Sequence, residues 1–340
     1  MTDTRALIVG GGPAGAAVAI DLARARVPHL LLERSRVTGD ALCGGFLSWR
    51  TLETLARLGI DPDTLNPVRT TAVRIFAGDR IARADLPYPA VSVSRRRLDT
   101  VLLAAAAAQG AAIERGVTVR EIEADRLRTA DGALLATPAL FLANGKADVR
   151  GTARPESARG ADPTLGIRVR VIPSPALAKA LAGRIDLYLF DRGYAGLALQ
   201  EDGSANLCMA VHRSRLQDAG SPADLLATLG REMPALGEWV ARLAPGAAID
   251  AIANVPYGWR QRTGQAGRYR LAIRRASSRR SRARAWGSRL QAVWRRRGRT
   301  GPTARETPPR GSSGWRRRWH ARSASQARSG GWRKAPPPRD

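Results

Sequence analysis

Three glycines at positions 10, 12 and 15, in the run VGGGPAG, have the spacing that lets backbone amides rather than side chains hold a phosphate. Gly10 permits a tight turn, Gly12 leaves no side chain in the path of a pyrophosphate, and Gly15 lets a helix lie close to a sheet. The exposed N–H groups and positive end of such a helix favour two phosphates. Glu33 follows 18 residues after Gly15, where a carboxylate can accept hydrogen bonds from both ribose hydroxyls of an adenosine. A negative group there opposes a 2′-phosphate, so these residues predict an FAD or NAD site in preference to NADP.

The elements that must position these residues are legible around them. Apolar RALIV (5–9) reads as a strand, AAVAIDLARARV as a buried helix and PHLLLER (28–34) as a second strand, together one βαβ unit with a parallel sheet. SWRTLETLARLGI is an amphipathic helix closed by Gly59. TAVRIFA and RIARADLPY flank a turn at Gly78-Asp79 as a hairpin, and SRRRLDTVLLAAAAAQG is a further helix. Short strands follow around Asp131-Gly132. From about residue 151, TLGIRVRVI, IDLYLF, YAGLALQ and ANLCMAVH read as an antiparallel sheet, and a helical pair starts at Ser221-Pro222 and breaks at Pro234. The predicted fold class is α/β: a Rossmann-like dinucleotide domain over residues 1–150, a mixed, largely antiparallel sheet domain for the substrate mainly over 151–270, with strands near 70–90 as candidates for that second domain, and a disordered 271–340.

Residues 6 to about 270 resemble the FAD-dependent family that contains geranylgeranyl reductases and aromatic-ring hydroxylases of the para-hydroxybenzoate hydroxylase type. The motifs are VGGGPAG (9–15), LLLER (30–34), DALCGGFLS (40–48), SRRRLD (94–99) and GYAGLALQEDGSANLCMAV (193–211). The resemblance implies that Gly10, Gly12, Pro13, Ala14 and Gly15 face the FAD pyrophosphate, Glu33 holds the ribose and Arg34 lies beside adenine or phosphate. It implies that Arg95 approaches the cofactor, a task suited to a permanently charged guanidinium. Cys43, Gly44 and Gly45 would form a loop beside flavin and substrate, with two glycines allowing close approach to a flat ring. Tyr194 is the polar aromatic candidate in the substrate wall, with Tyr257 and Trp259 near the domain junction. The chain departs from the hydroxylases at LANGKADVRG, where they carry an aspartate-glycine segment; Asn144 and Gly145 are expected to close the sheet near the cofactor, with Lys146 or Arg150 as sources of charge.

This implies an FAD-dependent oxidoreductase acting on a hydrophobic or aromatic small molecule. CGGFLS tilts the reading to alkene reduction of the geranylgeranyl-reductase kind, with hydroxylation of an aromatic ring by a flavin monooxygenase as the alternative. NADH or NADPH would be a transient electron donor, since no separate nicotinamide unit is present, and a lipid substrate would bring peripheral membrane contact. Two cysteines, Cys43 and Cys208, are too few for a disulfide scaffold. His29, His212 and His320 have no metal-site spacing, no apolar run is long enough to span a bilayer, and no leader precedes the first strand; a cytoplasmic protein without a metal is expected.

Composition then changes. Residues 271–340 hold 21 of the 56 Lys and Arg, 2 of the 29 Asp and Glu and 5 of the 8 Trp, so most of the net charge of +27 lies there. RRASSRRSRARAWGSRL has the look of a basic, aromatic-interspersed arm that contacts phosphate backbones, which makes a nonenzymatic nucleic-acid binder the competing class. Yet nearly every basic residue in it is arginine, and Arg, Ala, Gly, Pro and Trp are what GC-rich DNA encodes when read out of phase. Ala272–Arg295 admits codons that, with one base added in front, read GDQAGVIPSLAGEGVGIALASGVA. That string resembles the second FAD motif of the same family, with a Gly-Asp for the ribityl and pyrophosphate and a GEG turn opening a helix. The tail is therefore expected to be out-of-frame translation replacing the C-terminal FAD-binding segment, with no specific nucleic-acid partner, and the chain as written is expected to retain flavin weakly or not at all. Sequencing the coding DNA around residue 271 tests this: a missing base is the expected result, and an intact frame through the arginine codons would return the tail to the basic-arm reading.

Overall fold

The computed structural model describes residues 6–123, 126–255 and 259–272, all within one compact unit, Met1–Trp286. The expectations for the basic tail and for Tyr257 lie outside the described residues. The chain opens with β1 (Ala6–Val9), α1 (Pro13–Arg24) and β2 (His29–Glu33), then runs through β3 (Phe46–Leu47), α2 (Trp49–Arg57), β4 (Arg69–Ala77), β5 (Arg80–Ser92) and α3 (Arg95–Ala108). Short strands follow: β6 (Ala112–Arg115), β7 (Val119–Glu123), β8 (Arg126–Thr129), β9 (Leu134–Ala136) and β10 (Ala139–Leu142). The second half contains β11 (Thr164–Val171), α4 (Pro175–Leu181), β12 (Arg184–Phe190), β13 (Gly193–Leu199), β14 (Ala205–His212), α5 (Arg213–Ala219), α6 (Pro222–Glu232), α7 (Pro234–Val240), β15 (Asp250–Val255) and β16 (Arg268–Arg270).

The first sheet is parallel, in the order β16-β10-β1-β2-β6. Successive side chains of β1 go to opposite layers: Ile8 packs with Ala16, Ala19 and Ile20 of α1 and Leu98, Leu102 and Ala106 of α3, while Leu7 and Val9 pack with Ile122 and Leu127 of the three-stranded sheet β7-β8-β9. This two-sided burial explains why the first strand is apolar throughout. The predicted hairpin at Gly78-Asp79 forms between β4 and β5, and Pro222 and Pro234 open α6 and α7 as the sequence indicated.

The second sheet has eight strands in the order β15-β11-β14-β13-β12-β4-β5-β3. Its β4 and β12 run parallel, although 112 residues separate the paired Arg74 and Asp186. One face is covered by α4 to α7: Ile167, Val169, Leu207 and Met209 meet Leu225, Leu229, Leu236 and Trp239 in one core. The alternate residues of the same strands, among them Arg168, Arg170, Asn206, Cys208 and Tyr194, occupy the other face. Within the covered face Asp186 is fully buried, and its carboxylate accepts two hydrogen bonds from Arg74, from Nε at 2.8 Å and from a terminal nitrogen at 2.5 Å. Removing the guanidinium by Arg74→Ala would leave a buried carboxylate unpaired, which costs on the order of 3–5 kcal/mol. Urea unfolding of the variant should show that loss, and an unchanged midpoint would mean that Asp186 is neutralised by other means.

Candidate functional site

The glycine turn is shaped by contacts that exclude side chains. Gly10 has φ +104°, and a Cβ there would stand 2.7 Å from the Ala143 carbonyl oxygen; a Cβ on Gly15 would stand 1.9 Å from the Gly10 carbonyl oxygen. Helix α1 thus rests directly on the end of β1. Gly12 is its N-cap residue, without a capping side chain, and Pro13, Ala14 and Gly15 form its first turn. Glu33, at the end of β2, accepts a hydrogen bond from the Gly11 amide at 2.6 Å and another from the Ser35 amide at 2.9 Å. The carboxylate therefore sits at the opening of α1. Arg34 beside it is exposed.

Helix α3 brings Arg95 to the same opening. Ser94 caps the helix through a bond from the Arg97 amide to its hydroxyl, 3.0 Å. Arg95 donates to Asp99, one turn on, from Nε at 3.0 Å and a terminal nitrogen at 2.8 Å, and its guanidinium lies 3.3 Å from where a Gly12 Cβ would be. Burial alone would lower the Arg95 pKa, but the Asp99 hydrogen bond and charge, with Cys43 beside it, raise it above the ordinary arginine value. Asp99 is raised in turn, first by burial, with a further push from the charges of Glu33 and Asp40 that outlasts the pull of Arg95.

The loop before β3 lies between this opening and the free face of the second sheet. Asp40 accepts hydrogen bonds from Arg168 at 2.9 Å, from Arg170 and from the Arg96 amide at 3.1 Å, and its own carbonyl accepts from Arg168 at 2.8 Å. Burial would raise the Asp40 pKa, yet the Arg170 hydrogen bond and the two guanidinium charges hold it below the usual carboxylate range. The Cys43 carbonyl accepts from Asn206 Nδ2 at 3.0 Å and the Leu42 carbonyl from Lys146 Nζ at 2.9 Å.

Most of the residues singled out in the sequence converge here. Gly10, Gly12, Gly15, Glu33 and Arg95 surround one opening, Cys43 lies beside Arg95, and Asn144 joins them with its Cα 3.0 Å from the Gly10 Cβ position. Asn144 Nδ2 donates to the Ala147 carbonyl at 2.6 Å, and Gly145, at φ +60°, accepts from Arg154 at 2.7 Å. A Cβ on Gly45 would stand 2.6 Å from Gln200 and 2.7 Å from the Val93 carbonyl oxygen, whereas Gly44 faces open space. Lys146 serves the Leu42 carbonyl. Arg150 is away from the opening, 3.0 Å from Glu121 of the small sheet. Tyr194 lies on the free sheet face, paired across to Ala210 and Leu189, and Trp259 stacks under Arg154, 5.9 Å from ring centre to guanidinium. Cys43 and Cys208 form no disulfide. The sequence reading missed Arg168, Arg170, Asn206 and Gln200; the two arginines had a signal in IRVRV, where a period of two puts both on one face. Among the described residues no group of His, Cys, Asp and Glu is arranged for a metal, and no helix is long and apolar enough to cross a membrane.

Residues 3–132 match a family described as FAD binding domain, which points to FAD as the dinucleotide of the turn. No curated protein matches the chain. Solved structures with the same fold include the peptidyl tryptophan dihydroxylase QhpG, at 21% identity and TM-score 0.60, over 82% of this chain and 62% of that one, so the chain spans under two thirds of its length. They also include PqsL of Pseudomonas aeruginosa, a probable FAD-dependent monooxygenase, at 15% identity and TM-score 0.59, over 81% of this chain and 79% of that one. The halogenase PltM, in complex with phloroglucinol and FAD, shares 14% identity at TM-score 0.64, over 86% of this chain and 68% of its own. Substituting Glu33 by alanine removes the acceptor of the Gly11 amide at the opening of α1 and should weaken FAD binding by about 1–3 kcal/mol, roughly five- to 150-fold in Kd. Quenching of flavin fluorescence on titration with the protein measures this, and equal affinity would remove Glu33 from the site.

Proposed function

We propose that this protein is an FAD-dependent monooxygenase that hydroxylates an aromatic or otherwise hydrophobic small molecule, with NADH or NADPH as transient reductant. The observation that carries the reading is the convergence of Glu33 and Arg95 on a glycine turn too crowded for side chains. The residues fit FAD: the amides at the start of α1 suit a pyrophosphate, Glu33 suits a ribose and the Arg95 guanidinium balances phosphate charge. When bound, FAD supplies electron transfer and, in its reduced form, the activation of oxygen. The chain's own part is to orient the substrate and exclude water. Loop 40–45 closes one side, and Tyr194, Cys208 and Ala210 stand on the sheet face opposite the helical layer.

Support for oxygenation over alkene reduction comes from proteins that share the fold: a dihydroxylase, a probable monooxygenase and halogenases, among them PqsL in complex with 2-aminobenzoylacetate and PltM with phloroglucinol. CGGFLS remains the sequence feature on the side of reduction, and the absent aspartate-glycine segment is compatible with it. On this reading the site residues named above act as a cofactor cradle, the parallel sheet with α1 and α3 is the cofactor half, the eight-stranded sheet, to which β3 to β5 also belong, is the substrate half, and the basic tail replaces a segment that the flavin end requires. The decisive comparison is between the chain as written and the chain with one base restored before codon 272. The restored protein should purify with a flavin spectrum, bleach with NADH or NADPH, and consume oxygen faster with an aromatic substrate present. Reduction of an isolated alkene without oxygen uptake would favour the reductase, and a restored, folded protein that ignores FAD would end the proposal.

A further inference from the structure

We infer that Asp40, Arg168 and Arg170 form a positioning cluster that sets the Cys43 loop against Arg95. This deepens the flavin reading and rests on it for its purpose. The residues come from three places in the chain. Arg168 and Arg170 are alternate residues of β11, so both project from the free face of the second sheet. Asp40 opens the loop, and the Arg96 amide belongs to the first turn of α3. One carboxylate therefore joins the sheet to the helix that carries Arg95, with the loop hanging from it.

The cluster is costly to bury and well satisfied. The Arg168 side chain is 7% exposed, and besides Asp40 it donates to the Ala41 carbonyl at 3.2 Å and to Asp250 from Nε at 3.0 Å. Arg170 donates further to Gln200 and to the Ser204 hydroxyl at 2.8 Å. Packing alone could hold a loop on an apolar sheet face; two arginines fixed in a planar fork give it one register. Three residues on from Asp40, Cys43 is tied by Asn206 to the same face and lies beside the Arg95 guanidinium. Released from the Asp40 carboxylate, the loop loses its ties to Arg170 and the Arg96 amide and is held through its carbonyls by Arg168, Lys146, Asn206 and the Val93 amide.

Cys43 gives a readout that needs no flavin. It is partly exposed, and with Cys208→Ser it is the single thiol of the full chain. Alkylation rates with neutral iodoacetamide report how open the loop is, and the ratio of the iodoacetate to the iodoacetamide rate reports the positive charge beside the thiol. Asp40→Asn and the milder Arg170→Met should each raise the iodoacetamide rate roughly tenfold and lower the ratio, and Arg170→Lys should recover part of both. Arg74→Ala, which destabilises the far face of the sheet, should leave the ratio within about twofold of the parent, because its effect is on global stability. If Arg170→Met or Asp40→Asn also stays within about twofold of the parent in rate and ratio, the positioning role is overturned. Should Asp40→Asn not fold, the Arg170 pair decides the matter. Failure here is read from thiol chemistry, whereas failure of the flavin reading is read from FAD titration, so the two outcomes stay separate.

Discussion

The site is set by one close approach, that of α1 to the end of β1. A methyl group at position 15 would fall 1.9 Å from the Gly10 carbonyl oxygen, so the helix can start where it does only if that position is bare. The small residues Ala16 and Ala19 that follow extend the approach along the helix and let α3 pack against it through Leu98, Leu102 and Ala106. Packing α3 in that position places its first residue, Arg95, over Gly12. The parallel pairing of β1 with β2 puts Val9 opposite Leu32, so the next residue on β2, Glu33, meets the amide of Gly11. Backbone amides, carboxylate and guanidinium are thus delivered to one point by sheet register and helix packing, not by any contact between the functional side chains themselves.

The start of α3 is also where the two sheets are joined, and its sequence looks wrong for that position. Arg95, Arg96 and Arg97 stand in the first turn, at the end of a helix that favours anions. The structure answers each one. Arg95 is held by Asp99, Arg96 lies 3.9 Å from Asp202, and Arg97 donates to the Thr64 carbonyl at 2.9 Å. The amides of that turn meet carboxylates from elsewhere: Ser94 donates to Glu201 at 2.8 Å and Arg96 to Asp40. Acids from the β13–β14 turn and from the Cys43 loop therefore serve both the cations and the dipole. The junction is electrostatic where the interiors of the two layers are apolar, which fixes orientation as well as contact.

What was legible in the sequence was what depends on near neighbours. The turn, Glu33, the hairpin at Gly78-Asp79 and the helix break at Pro234 each follow from a few adjacent residues whose backbone preferences agree. The parallel pairing of β4 with β12 joins residues 112 apart, and the Asp40 partners lie 128 and 130 residues away, so no local pattern announces them. The short helices α4 and α5, of seven residues each, carry too little periodicity to stand out. Gly45 shows a subtler limit. A glycine pair beside a cofactor motif suggests room for a ring, and nothing local announces that a Cβ on one of the two would meet Gln200 and the Val93 carbonyl of the protein itself.

Charge shows why composition was a poor guide to this site. The chain's net +27 suggests a surface made for polyanions, but the arginines around the opening are largely matched by acids placed within hydrogen-bond reach, and Arg95 shares two of its nitrogens with Asp99. Asp99, Glu33 and Asp40 are close enough that the charges of the latter two raise the pKa of the first. A diphosphate entering such a neighbourhood gains little from net charge. On the proposed reading its attraction comes from directed donors, the amides at the start of α1 and the guanidinium edge that faces Gly12, whose positions are already fixed by the fold. Recognition by fixed dipoles needs a scaffold in which an error of one methyl group is not tolerated, and the contact between Gly10 and Gly15 supplies it.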